Sequence, residues 1–181
     1  LRLIKNICKA ENIDVKKFAP KFIIAFINQW KNKGLLPKNV IIKKESPFEK
    51  PILTVYNFYQ ERLKILNTCD FGDLILLCVE MFKKNSDILE LYHNNFKYIL
   101  VDEYQDSNFI QSEWLNLLAK KNNNICCVGD DDQSIYSWRG AEIKNFLDFK
   151  KVYKNTKIFR LEQNYRSTQN ILSAASGLIS K

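Results

Sequence analysis

The chain has 181 residues and a formal net charge of +8, and its 13% aromatic and 27% charged residues exclude a disordered protein. The five cysteines lack CxxC spacing, which argues against a zinc site, and apolar runs such as residues 74–79 are too short to cross a membrane. The positive charge permits a nucleic-acid partner, although abundant lysine, asparagine and isoleucine are equally consistent with background composition.

The first third of the chain has the periodicity of helices. One apolar stripe recurs about every four residues and consists of Phe18, Phe22, Ile23, Phe26, Ile27 and Trp30. Gly34 and Pro37 predict the end of this helix. A polar loop over residues 38–50 and a second helix over about 51–67 follow. The second apolar stripe contains Ile52, Val55, Tyr59, Leu63 and Leu66, and we interpret both stripes as core.

After residue 68 the pattern becomes one of alternating helices and strands. Asp70 is placed to cap a helix whose apolar positions are Leu74, Ile75, Leu77, Cys78 and Met81. Further helices are predicted over residues 86–93, 107–121, 142–153 and from a Ser167 cap to Ile179. Short apolar runs predict a parallel strand buried on both faces at residues 98–101, a second buried strand at 125–128 and a third short strand at 158–161. Strands alternating with helices indicate an α/β fold.

A first polar cluster, residues 102–106, directly follows the first predicted strand, where ligands of α/β folds bind. Its adjacent carboxylates, Asp102 and Glu103, are suited to holding a magnesium ion and to orienting or deprotonating a water. The alternative interpretation is a solvated acidic turn in which Asp106 caps the next helix.

A second cluster, residues 128–141, follows the second strand, and Gly129 gives that strand a tight exit. The amide of Gln133 can contact a phosphate oxygen or the attacking water. Tyr136, Trp138 and Arg139 interleave aromatic surfaces with a cation, a pattern typical of single-stranded nucleic-acid binding. Alternatively, Trp138 is core and Arg139 is its surface partner.

A third cluster, residues 161–167, follows the third predicted strand. Arg166 is placed to reach a γ-phosphate from a neighbouring domain, as an arginine finger does. Tyr165 could stack on an adenine. An ordinary corner between a strand and a helix is the alternative interpretation.

Together, in this order and spacing, the clusters resemble the motifs of UvrD/Rep/PcrA-like superfamily 1 helicases. Residues 102–106 resemble motif II, the Walker B segment, residues 129–141 resemble motif III, and residues 163–167 resemble motif IV. Residues 70–75 are similar to the DFDDL segment of the family, with glycine in place of one aspartate. The strong resemblance covers residues 70–181.

The resemblance implies a fold and a division into domains. The fold would be an α/β fragment of a RecA-like P-loop NTPase with a parallel sheet and an N-terminal α-helical subdomain. Residues 1–66 would form a helical accessory subdomain and residues 67–154 the C-terminal part of the first RecA-like ATPase domain. Residues 155–181 would begin the second RecA-like domain.

The resemblance also implies a role for each matching residue of a nucleotide site. Asp102 would coordinate Mg²⁺, and Glu103 would activate the hydrolytic water. Gln133 would couple the γ-phosphate to the DNA-binding surface. Tyr165 would pack on the adenine of ATP, and Arg166 would be the arginine finger.

A DNA-binding surface is implied at motif III. Tyr136 and Trp138 would stack on bases of single-stranded DNA, and Arg139 would link that surface to the nucleotide site. The resemblance implies an ATP-dependent 3′–5′ DNA helicase that acts on single-stranded and partly duplex DNA in repair or replication. Such a protein would be cytoplasmic, bacterial and nucleoid-associated.

The phosphate-binding sequence GxxxxGK[ST] does not occur in these residues. The chain also opens on Leu1 and contains a single methionine, Met81. We therefore expect an internal fragment that depends on the rest of the helicase chain, folds poorly alone and hydrolyses ATP negligibly. Two alternatives remain: a non-catalytic remnant of a broken helicase gene that at most binds single-stranded DNA, and a stray Walker B segment in an unrelated ATPase.

Overall fold

A computed structural model of the chain describes residues 1–42, 46 and 48–180. Its α-helices are α1 Arg2–Ala10, α2 Pro20–Asn32, α3 Glu49–Ile65, α4 Phe71–Lys84, α5 Ser86–Asn95, α6 Phe109–Ala119, α7 Ile143–Leu147, α8 Phe149–Val152 and α9 Gln169–Ile179. Strands β1 Ile99–Val101 and β2 Ile125–Cys127 pair in parallel, with Ile99 opposite Ile125. This mixture of helices with a small parallel sheet confirms the predicted α/β class.

Helices α1, α2 and α3 enclose the larger hydrophobic core. Its buried members are Ile4, Ile7, Cys8, Phe18, Ile23, Ile27, Trp30, Ile52, Val55, Tyr56 and Tyr59. The predicted first helix is confirmed as α2, and Gly34 follows it at φ +73°. However, Ile23, Ile27 and Trp30 form its buried face, whereas Phe22 is exposed and its ring lies 4.8 Å from that of Phe26 in a tilted arrangement. The periodicity therefore identified the helix correctly, but it included the exposed Phe22 in the buried stripe.

The second predicted helix is α3, which begins and ends about two residues earlier than expected. Because α3 ends at Ile65, Leu66 is exposed rather than core. The predicted loop over 38–50 was wrong at both ends, because a 3₁₀ turn occupies Pro37–Asn39 and α3 begins at Glu49. Its residues 43–45 and 47 lie outside the described part of the chain.

Helix α4 begins as predicted. Asp70 accepts a hydrogen bond from the backbone N–H of Asp73, and the Asp73 carboxylate accepts one from the backbone N–H of Asp70. The predicted apolar face was wrong, since Leu74 and Leu77 are exposed. The buried face of α4 instead carries Asp73, Leu76, Val79 and Phe82, and it packs against α2 and α6.

A buried lysine joins α2 to α4. Lys31 is 0% exposed, and its Nζ lies 2.7 Å from Asp70 Oδ2 and 2.8 Å from Asp73 Oδ1. A Cβ atom on residue 72 would lie 2.8 Å from Lys31 Cδ. The stem of Lys31 therefore occupies the space of a Cβ at Gly72, where the DFDDL segment has an aspartate.

The first two predicted strands are confirmed as β1 and β2, but their burial on both faces is wrong. Leu100 is 82% exposed, and Tyr98, Cys126 and Val128 are exposed on the same face of the sheet. Residues 158–161 were predicted as a third strand. This prediction was wrong, because β1 and β2 are the only strands of the described residues. Residues 158–161 pair with neither strand, and Phe159 and Leu161 are exposed.

The remaining predicted helices differ from the structure mainly at their ends. The helix over 142–153 is divided at Asp148 into α7 and α8. Thr168, not Ser167, precedes α9. Asn108, not Asp106, caps α6, in a capping box with Gln111. Across the described residues, no helix is both long and apolar enough to span a membrane.

Candidate functional site

Asp102 and Glu103 lie at the carboxyl end of β1 with both side chains exposed. Glu103 has a left-handed backbone conformation, at φ +50°, which turns the chain sharply out of the strand. Asp102 Oδ1 accepts a hydrogen bond of 2.9 Å from the Glu103 backbone N–H. The turn therefore presents two neighbouring carboxylates at the edge of the sheet, as the sequence predicted for this cluster.

Gln105 is a site residue that the sequence analysis missed. Its side chain is buried and donates a hydrogen bond of 2.8 Å from Nε2 to Glu103 Oε2. Its Oε1 accepts a hydrogen bond of 3.1 Å from the backbone N–H of Asp130. The sequence did offer one signal for Gln105, since it is a neutral residue with both a donor and an acceptor among carboxylates. Its partner Asp130 is 25 positions away, so no local pattern could predict that contact.

Gly129 is required by this arrangement. A Cβ atom on residue 129 would lie 2.6 Å from Gln105 Oε1 and 2.9 Å from the Phe146 ring. The predicted reason for this glycine was a tight exit from the strand. The structure shows instead that the backbone must pass close to the Gln105 amide.

The loop after β2 is ordered by Asp130. Its Oδ1 accepts from the backbone N–H of Asp132 at 3.1 Å, and its Oδ2 accepts from Gln133 Nε2 at 2.6 Å. A 3₁₀ turn over Asp131–Gln133 follows from this capping. Gln133 is exposed, and it is connected to Glu103 by hydrogen bonds through Asp130 and Gln105.

Tyr136, Trp138 and Arg139 form one group. The Arg139 guanidinium carbon lies 4.8 Å from the Tyr136 ring centroid and 4.6 Å from that of Trp138, and the two rings are 6.4 Å apart. Trp138 is 74% exposed, so the alternative of a core tryptophan is wrong. Arg139 does partner it at the surface, as the same alternative supposed.

This aromatic group is tied to the helices beneath it. Asn32, at the end of α2, donates from Nδ2 to the Arg139 carbonyl at 3.1 Å, and its Oδ1 accepts from Asn108 Nδ2 at 3.2 Å. Gly140 has φ +91°, and a Cβ atom there would lie 2.9 Å from Asn32 Nδ2. The loop therefore rests on both α2 and the cap of α6.

A cavity of about 430 Å³ opens beside the first cluster and is lined in part by Asp102, Glu103 and Asp106. Asp106 Oδ1 is buried there without a hydrogen-bond partner among the described residues. At the adjacent end of β2, burial raises the pKa of the Cys127 thiol to about 12. This thiol therefore stays protonated at neutral pH.

The donor set fits magnesium bound together with a phosphate ligand. In the part of the chain that the structure describes, no three or more acidic, histidine or cysteine side chains gather into a metal-binding group. Magnesium commonly binds through one or two carboxylates, keeping waters and substrate phosphates as its other ligands. Asp102, an exposed carboxylate at the sheet edge, suits that role.

The third cluster is not brought to this site. Tyr165 is 92% exposed and Arg166 is also exposed. Asn164 Oδ1 accepts from the backbone N–H groups of Arg166 and Ser167, both at 2.9 Å, which shapes the turn before α9. No hydrogen bond or ring contact of the described residues joins Tyr165 or Arg166 to Asp102 or Glu103.

Comparisons with known proteins agree on one family. The family described as "UvrD/REP helicase N-terminal domain" matches residues 1–154. The chain is 51% identical over 180 residues to a "Probable DNA helicase II homolog" of Rickettsia conorii, covering 99% of this chain and 28% of that protein. It is 45% identical over 177 residues to "ATP-dependent DNA helicase PcrA" of Staphylococcus epidermidis, covering 98% of this chain and 24% of that protein. The chain thus spans about a quarter of the length of these relatives.

Proposed function

The chain belongs to the UvrD/REP helicase family, and on that premise we propose that it forms part of the motor of an ATP-dependent DNA helicase. The motor would hydrolyse ATP and move 3′ to 5′ on single-stranded DNA, unwinding duplex in repair or replication. One observation carries the proposal: Glu103 and Gln133, from two different loops, share a hydrogen-bonded network at the carboxyl end of a parallel sheet.

The proposed domain division follows from the same premise. Residues 1–66 would be the helical accessory subdomain, residues 67–154 part of the first RecA-like domain, and residues 155–181 the start of the second. The exposed Leu100 face of the sheet supports this division, because parallel sheets are normally covered on both faces. The remaining elements of the motor would come from the rest of the helicase chain.

In the proposed nucleotide site, Asp102 would hold Mg²⁺ together with the phosphates of ATP. When bound, the ion neutralises charge that develops on the transferred phosphoryl group. The Glu103 carboxylate accepts a proton from the attacking water and orients it. The Gln133 amide breaks its hydrogen bond to Asp130 and contacts the γ-phosphate or that water instead. The conformation of the loop after β2 therefore depends on whether nucleotide is bound.

The proposed DNA surface is the exposed group at Tyr136, Trp138 and Arg139. Trp138 is exposed enough to stack on a base, and the Arg139 guanidinium, which lies within 5 Å of both ring centroids, would contact a phosphate of the bound strand. Base stacking of this kind contributes roughly 1–3 kcal/mol per base. Because Asp130 and Tyr136 belong to one short loop, movement of Gln133 would also displace the residues of the DNA surface.

Tyr165 and Arg166 act in the proposal only after the second domain closes on the first. Tyr165 would then pack on adenine, and Arg166 would reach the γ-phosphate as an arginine finger. Their exposure supports this, since both side chains are available to a partner surface. An arginine finger typically contributes about 10³–10⁵ in rate.

The test is ATP hydrolysis by the full-length polypeptide that carries this chain, measured with and without single-stranded DNA. We expect magnesium-dependent hydrolysis that DNA stimulates, and its loss in Glu103→Gln with DNA binding retained. Hydrolysis unchanged in Glu103→Gln would overturn the proposed role of that residue.

A second candidate function is a non-catalytic module that binds single-stranded DNA. The favouring observation is that Tyr136, Trp138 and Arg139 contact one another directly in one group on which Trp138 is 74% exposed. A titration of the full-length protein with oligothymidine, comparing wild type with Trp138→Phe and Trp138→Ala, separates the two. The non-catalytic module would be favoured if Trp138→Phe binds DNA, Trp138→Ala does not, and the wild-type protein hydrolyses no ATP.

A further inference from the structure

A buried amide connects the two loops of the candidate site. Gln105 is 1% exposed, and its amide has two partners, the Glu103 carboxylate at 2.8 Å and the Asp130 backbone N–H at 3.1 Å. A carboxylate can only accept and a backbone N–H can only donate. The amide therefore satisfies both partners in one orientation alone, which fixes its side chain between them.

The connection continues into the loop after β2. Asp130, whose N–H reaches Gln105, also accepts from Gln133 Nε2 through Oδ2 at 2.6 Å. A hydrogen-bonded path therefore runs from Glu103 through Gln105 and Asp130 to Gln133. The backbone follows the same route, because the N–H of Tyr104 donates to the Val128 carbonyl at 3.0 Å.

Burial gives this path its rigidity. A side chain that is almost wholly buried and bonded at both ends has few alternative positions, unlike the exposed carboxylate of Glu103. Gly129 leaves room for the Gln105 amide, because a Cβ atom on residue 129 would lie 2.6 Å from Gln105 Oε1.

We infer that Gln105 is a positioning residue for the proposed ATP hydrolysis. It holds the Glu103 carboxylate at the site of the attacking water and couples that carboxylate to the loop that carries Gln133. This inference rests on the proposed function, because it gives Gln105 its role through Glu103. Gln105 itself contacts neither substrate nor metal in this role.

Two substitutions separate the two hydrogen bonds. Gln105→Met keeps a side chain of similar length but loses both bonds. Gln105→Glu keeps an acceptor for the Asp130 N–H, but it loses the donor and sets a second carboxylate against Glu103. Gln29→Met is the control, because it makes the same change at an exposed position of helix α2.

The first readout is hydrogen exchange of the nucleotide-free, full-length protein, followed by mass spectrometry on peptides that contain Asp130. We expect exchange at Asp130 to be about 3- to 10-fold faster in Gln105→Met than in wild type. Gln105→Glu and Gln29→Met should retain the wild-type rate there. This readout does not depend on ATP hydrolysis.

The second readout is DNA-stimulated ATP hydrolysis by the same proteins. We expect kcat to fall about 10- to 100-fold in both Gln105 variants, since misplacement of a catalytic group has effects of this size. KM for ATP should change by less than about 3-fold, because the lost interaction acts on the chemical step. Gln29→Met should stay within about 2-fold of wild type in kcat.

The outcomes distinguish this inference from the proposed function. If Glu103→Gln is inactive while both Gln105 variants keep wild-type kcat, the positioning role is overturned and the proposed function stands. If exchange at Asp130 is unchanged in Gln105→Met, the inferred link between the loops is overturned. If Glu103→Gln is fully active, the proposed function itself fails.

Discussion

The side-chain amide of Asn32, at the end of α2, donates a hydrogen bond of 3.1 Å to the carbonyl of Arg139, 107 positions further along the chain. The same side chain accepts from Asn108, the cap of α6. A residue of the N-terminal helical region therefore holds the loop that presents Tyr136 and Trp138. The proposed DNA surface is built on a contact between the two halves of the chain.

Removing this contact should loosen the DNA surface. We expect Asn32→Ala to weaken binding of single-stranded DNA by about 2- to 13-fold, the range for one hydrogen bond of about 0.5–1.5 kcal/mol. Asn28→Ala, an exposed position one turn earlier on α2, is the control and should bind as wild type. Fluorescence titration with oligothymidine measures both, and equal affinities in the two variants would refute the tether.

Gly129 should not tolerate even one methyl group. In Gly129→Ala the new Cβ would lie 2.6 Å from Gln105 Oε1 and 2.9 Å from the ring of Phe146, so the amide must move. We expect DNA-stimulated ATP hydrolysis to fall about 10-fold or more. Gly177→Ala is the matched control, because its Cβ would meet nothing within 4 Å on helix α9. Equal activity of the two variants would contradict the tight contact.

The buried Lys31 should be essential for stability. Lys31→Met leaves the Asp70 and Asp73 carboxylates without their cation in a buried place. Breaking a buried ion pair by removing one partner typically costs about 3–5 kcal/mol. We expect a loss of that order in the free energy of unfolding by urea. Lys33→Met, at an exposed position, should change it by less than about 0.5 kcal/mol, and a similarly small loss in Lys31→Met would argue against the ion cluster.

The same cluster should make the protein sensitive to acid. Burial alone would raise the pKa of Asp70, but the hydrogen bond and charge of Lys31 outweigh it and hold that pKa below its ordinary value. A carboxyl with a lowered pKa contributes its full stability above the unfolded pKa of about 3.9, and the contribution is lost as pH falls through the folded pKa. We therefore expect the free energy of unfolding to decline below about pH 4.

Substitution of the carboxyl tests this sign. Asp70→Asn should show a shallower decline than wild type between about pH 5 and pH 2 in urea titrations. Asp87→Asn, at an exposed position in the first turn of α5, should keep most of the wild-type decline. An unchanged slope in Asp70→Asn would show that this carboxyl is not the titrating group.

Sequence patterns predicted elements well where the signal is local. The Asp70 cap, the helix periodicity of α2 and the two parallel strands all depend on neighbours within a few residues, and all are present. The buried face of α4 was predicted wrongly because a helix rich in apolar residues has more than one possible stripe. Only packing against α2 and α6 decides that Leu76 rather than Leu77 is buried.

Long-range contacts explain what the sequence could not predict. Gln105 gains its importance from Asp130, and Lys31 from Asp70, and neither pairing has a local signature. The clusters around Asp102 and Gln133 could be placed together because parallel strands end at one edge of a sheet. Their roles in catalysis, like those of Tyr165 and Arg166, stay predictions.

Strand separation of a 3′-tailed duplex by the full-length protein tests the central claim most directly. The measurement compares wild type with Glu103→Gln at saturating ATP and magnesium, after both are shown to bind the tail. We predict that wild type separates the strands and that Glu103→Gln binds without separating them. Strand separation by Glu103→Gln at the wild-type rate would contradict the claim that this site drives the motor.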